Sequence, residues 1–158
     1  MAWWVDGEPD RVWLAERQPG QALWAVPIPV SGLDESARRP SVVVHEGAVI
    51  VTYERTSPLD DTLAEVVMAR ADTNGDFTRA VLATTSSAGR LDPMLHSRPG
   101  RLWVDWKNGA GEFGYAIASP SLVLEGTSTV PWTDPTWIGA EQVRLRIESL
   151  LAADGPPD

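Results

Sequence analysis

Apolar and polar residues alternate along most of this chain in short runs, separated by Gly, Pro, Asn and Asp. Period-two alternation marks half-buried strands, because successive side chains of a strand point to opposite faces. MAWWV (1–5), RVWLAER (11–17) and ALWAVPIPVS (22–31) read as strands. Pro19-Gly20 supplies a short turn between the last two, and Pro27 and Pro29 each remove a ladder donor, which predicts an edge strand. GLDESARR (32–39) reads as a polar loop. SVVVH (41–45), AVIVTYER (48–55), LAEVVMARA (63–71) and FTRAVLATT (77–85) follow, rich in β-branched residues. Glu46-Gly47 and Asn74-Gly75 mark tight hairpins within this group. PMLHS (93–97), RLWVDWK (101–107), EFGYAIAS (112–119) and SLVLEGTSTV (121–130) then repeat the order.

The repetition has a measurable period. Pro40 and Pro93 are 53 residues apart, as are Tyr53 and Trp106. Small residues recur in the third strand of each unit, at Ala15, Ala69 and Ala116, where neighbouring sheets that converge would need close approach. The tail segment PWTDPTWIG carries Pro135 in the place of Pro40 and Pro93, and so predicts one more first strand. The expected fold is all-β: about three four-stranded antiparallel blades, half a β-propeller, with a short C-terminal helix. The units are 1–36, 37–88 and 89–132, followed by an extra strand at 133–138 and a helix and tail at 139–158. In the tail, Val143, Leu145 and Ile147 alternate as a strand would. Ala140, Val143, Ile147, Leu150 and Leu151 also share one helical face, and the helix is the expectation.

With strands A to D counted outward, the chain opens on a strand B and closes on a strand A. Three blades are fewer than the four to eight of known rings. The expected partner is therefore a second copy, giving a homodimer of six blades in which each tail completes the partner's first blade, or else another propeller half.

Composition narrows the function classes. At 158 residues, 43% hydrophobic and 22% charged, the chain is long and apolar enough for one packed domain. A net charge of −9 argues against nucleic acid and anionic membrane surfaces as partners. The chain has no cysteine, which excludes disulfides, thiolate nucleophiles and Cys-based zinc sites. No signal peptide or membrane-length apolar run is present, so the expected location is cytoplasmic, or extracellular if the chain is a fragment. Eight Trp against two Phe and two Tyr serve either packing between sheets or a sugar-stacking surface.

Candidate chemistry lies in the loops. The A–B and C–D turns are short, whereas the B–C and D–A connections are longer and polar, which makes that end the expected working face. Glu54, Arg55, Trp106 and Lys107 form a lectin-like set there, an aromatic, cations and a carboxylate, although Trp106 reads equally well as the inward residue of a core strand. Asp60 and Asp61 are neighbouring carboxylates of the kind glycosidases use, although adjacent loop acids more commonly repel and stay hydrated. Asp72 to Asp76 resembles a calcium loop, but the twelfth position is Ala83 where a bidentate Glu is required, so it reads as a hairpin turn. His45 and His96 read as matching positions in the first strands of two units, with structural roles. No nucleophile elbow, P-loop or dinucleotide fingerprint occurs, and neither a cofactor nor a metal is expected.

RPSVVVHEGAVIVTYER…VVMARAD and LDPMLHSRPGRLWVDW…GYAIAS resemble the sialidase-like, BNR-type β-propeller repeats over about residues 1–138. The Asp-box pattern of that superfamily is absent, and its arginine cluster and Tyr/Glu pair have no counterparts by motif. The resemblance implies the fold and a binding module for carbohydrate or protein, more in keeping with a non-enzyme. A partial or degenerate glycoside hydrolase is the alternative.

Overall fold

The computed structural model describes residues 1–7, 9–72, 74–86, 91–99, 101–107, 113–118 and 124–130. They form eleven antiparallel strands in three sheets, with no helix among the described residues. The expected tail strand at 133–138 and the helix at 139–158 lie outside them. No helix among the described residues is long and apolar enough to cross a membrane.

The first sheet joins β1 (Ala2–Val5), β2 (Arg11–Leu14) and β3 (Ile28–Pro29) in that order. The second joins β4 (Ala37–His45), β5 (Ala48–Thr56), β6 (Leu63–Ala71) and β7 (Phe77–Ser86). The third joins β8 (Met94–Arg98), β9 (Arg101–Lys107), β10 (Phe113–Ala118) and β11 (Leu124–Val130).

The second sheet is buried on both faces. Alternate residues of β6 go opposite ways: Val67 and Ala69 join Val12, Leu14 and Val30 of the first sheet, whereas Ala64, Val66 and Met68 join Leu95, Leu102 and Val104 of the third. This two-sided burial explains why AVIVTY and VVMA are almost continuously apolar; strands covered on both faces lose the polar half of the alternation.

The 53-residue period is a structural one. Val42 faces Val51 and Leu95 faces Val104, each pair shifted by that interval. In turn Val51 faces Ala69 and Val104 faces Ala116. The histidines do not match: His45 sits opposite Ala48 at the position Arg98 takes opposite Arg101, while His96 corresponds to Val43. The turn lengths set this register, and the spacing of the two histidines does not obey it.

Two boundaries differ from the sequence expectation. The third strand shrinks from 22–31 to Ile28–Pro29, and residues 15–27 form a long connection instead of a Pro19-Gly20 hairpin. The cause is the run Pro27-Ile-Pro29, which withholds two ladder donors. Conversely, β4 begins at Ala37, so Arg38 and Arg39 belong to a strand and not to the preceding loop. A bulge between Arg38 and Ser41, with Arg39 at a φ of 53°, lets this polar start pair with β5.

Candidate functional site

The charged residues collect at one end, where β5 ends and β4 and β6 begin. Two networks meet there, on opposite faces of β5, because Glu54 and Arg55 are consecutive in a strand.

On the face toward the third sheet, Arg39 Nη1 donates to both carboxylate oxygens of Glu54 at 2.7 and 2.6 Å. Arg39 Nε also lies 3.1 Å from Asp92. The Leu91 N–H donates to Glu54 at 2.9 Å, and the Leu91 carbonyl accepts from the Lys107 N–H at 2.8 Å. Glu54 and Lys107, one repeat apart, are thus tied through the backbone of one leucine. Arg38 completes the group, with Nε 3.8 Å from Glu54 and 3.9 Å from Asp10. These separations are attractive but too long for hydrogen bonds, and the Arg38 Nε has no hydrogen-bond partner. Arg39 and Asp92 both hold positive φ, at 53° and 41°, so the backbone is strained on either side of their ion pair.

On the face toward the first sheet, Arg55 Nε donates to Glu65 at 2.7 Å and its Nη1 donates to Glu35. Glu35 also accepts from the Gly32 N–H at 2.8 Å and the Tyr53 hydroxyl at 3.1 Å, and Glu65 accepts from Ser57 at 2.9 Å. Burial disfavours the Arg55 cation, but the hydrogen bond to Glu65 and the charges of Glu35 and Glu65 outweigh it and hold the guanidinium above its usual range. Burial, reinforced by the charge of Glu35, pushes the Tyr53 hydroxyl well above the ordinary tyrosine range.

The remaining expected site residues lie elsewhere. Trp106 is buried in the core between the second and third sheets, against Gly114. Asp60 and Asp61 are exposed in the turn between β5 and β6. Asp60 accepts from the N–H and hydroxyl of Thr62, and these bonds lower its carboxyl pKa. The structure therefore joins Glu54 to Lys107 through Leu91, sets Arg55 on the opposite face of β5, leaves Asp60 and Asp61 exposed in their turn, and buries Trp106 in the core. The sequence does not single out Glu65, Ser57 or Leu91, and it places Glu35 and Arg39 in a polar loop. The signal for Glu65 was present: a hairpin through 57–62 sets Arg55 opposite Glu65.

With Glu35, Glu54 and Glu65 all engaged by arginines, these networks form a rigid frame. Around them Asp6, Asp60, Asp61 and Asp92 are exposed, so the end presents carboxylates to solvent over a fixed base. Such a surface suits hydrogen-bond donors, either sugar hydroxyls or the basic side chains of a protein. Among the described residues, no cluster of His, Asp or Glu could hold a metal ion. Compared with known proteins, the chain matches no family model, no curated protein and no solved structure.

Proposed function

We propose that this chain is a non-enzymatic interaction module of propeller type, whose three sheets are half of a six-sheet ring completed by a second copy. Its long-loop end is the recognition surface. The observation that carries the reading is the repeated register: the first two strands of two successive four-stranded sheets pair at the same positions 53 residues apart, and the second sheet shares a core with a neighbour on each face. An array of that kind buries each interior sheet twice and leaves its two end sheets short of a neighbour, which favours association.

Binding is favoured over glycoside hydrolysis because the buried carboxylates at this end are already ion-paired. A general acid needs a carboxyl held protonated and free to reach substrate, and Glu54 and Glu65 accept from arginine instead. Burial of Trp106 removes the aromatic platform a lectin would use, so the exposed acids are the better anchors for a protein or a carbohydrate. Static light scattering on the full chain tests the reading. A dimer is expected, and a monodisperse monomer at micromolar concentration overturns it.

A further inference from the structure

The first sheet is organised as the second and third strands of the other sheets without their first. Met1 and Ala15 exchange backbone hydrogen bonds of 3.0 Å in both directions, the pairing that Val51 makes with Ala69 and Val104 with Ala116. The orientation agrees. Asp10, at the start of β2, accepts from the Ala37 N–H at 2.9 Å, so the β1–β2 loop lies where β4 begins. That end also holds the β5–β6 loop. β1 therefore runs parallel to β5, and the place beside it corresponds to that of β4 beside β5 and β8 beside β9.

Among the described residues, β1 has a ladder partner on one side only. Because Met1 bonds to β2, strand alternation turns the N–H and C=O of Ala2 and Trp4 toward the open side. Trp4 and Val5 are 45% and 50% exposed on this edge, the exposed apolar edge that ordinarily recruits another strand.

We propose that the inner edge of β1 is a strand-acceptor site, and that its occupant is the segment Thr133–Ile138 of a second copy. The proposal rests on the six-sheet reading above. The segment follows the last described strand, β11, and carries Asp134-Pro135, as Asp92-Pro93 precedes β8. A second copy is the proposed source because the described residues supply three sheets and known closed rings have four or more. The register follows from the repeat. Ser41, next after Pro40, faces Thr52, the position that Ala2 occupies in the first sheet; Thr136, next after Pro135, is therefore set opposite Ala2.

The absence of cysteine makes a clean test. Full-length Ala2→Cys and Thr136→Cys proteins, differently tagged, are mixed and oxidised, since facing strand residues lie within disulfide reach. The expected product is the disulfide heterodimer, in at least tenfold excess over either single-variant dimer and over the Ala2→Cys with Ser128→Cys control. Trp4→Pro in the full chain removes the backbone donor on the open side, together with the exposed indole and its bond to Asp6, and is expected to abolish the dimer while retaining the folded circular-dichroism spectrum; Trp4→Phe, which lacks only the indole bond, is expected to keep the dimer. A dimer by light scattering that gives no cross-link between positions 2 and 136 overturns the strand exchange and leaves the six-sheet reading standing. An intrachain bond in a protein carrying both substitutions overturns the second copy as occupant.

Discussion

The indole of Trp106 occupies the space into which Gly114, its cross-strand partner, would project a side chain. In sequence Trp106 fits either a ligand-stacking platform or the inward side of a core strand. In the folded chain the pair is a packing device: the ring fills the gap and is 4% exposed.

Gly114→Ala is therefore expected to destabilise the protein by about 1–3 kcal/mol, since the new methyl overlaps a buried ring held on several sides. Urea unfolding measures the loss. Trp106→Leu in the same background is expected to recover part of it, and additive losses would show that the two residues do not share the space.

Glu54 is 6% exposed and holds Arg39 by two short hydrogen bonds. Glu54→Ala leaves the partly buried Arg39 guanidinium with the exposed Asp92 as its partner and the Leu91 N–H without its acceptor, for an expected cost of about 1–3 kcal/mol. The double variant with Arg39→Met is expected to fall short of the summed single losses by about 0.5–3 kcal/mol in a denaturation cycle.

Tyr53 predicts an alkaline limit. Its hydroxyl is fully buried and faces Glu35, so the folded pKa is raised. A raised folded pKa means that the native state keeps a proton the unfolded state releases. The contribution is whole below the unfolded value of about 10 and declines as pH rises beyond it. Tyrosinate absorbance should show Tyr53 ionising only as the protein unfolds, and Tyr53→Phe should flatten the decline. Early, reversible ionisation of both tyrosines would contradict this.

Asp60 should titrate below the ordinary aspartate range, because Thr62 donates two hydrogen bonds to its ionised form. A lowered folded pKa contributes stability above the unfolded value and loses it as pH falls through the folded one. Thr62→Ala is expected to return the Asp60 midpoint toward about 3.9, followed by carboxyl chemical shifts. An unchanged midpoint would remove the Thr62 hydroxyl as a cause.

The strands and their repeat were legible in the chain itself, because pleat alternation and short turns are local: Glu46-Gly47 and Asn74-Gly75 lie in the hairpins their composition predicts. The strand boundaries at Ile28 and Ala37 were not, since a proline-broken edge and a bulge at Arg39 depend on which neighbours can supply the missing bonds. Apart from the Arg55–Glu65 pair, which the hairpin register sets, the site was decided by tertiary structure. Consecutive residues Glu54 and Arg55 face different sheets, and their partners Arg39, Leu91, Glu35 and Glu65 arrive from other strands and connections. Charge in a sequence reads as solvated surface; burial between packed sheets leaves a carboxylate stable only where an opposite charge meets it, and no local pattern records that meeting.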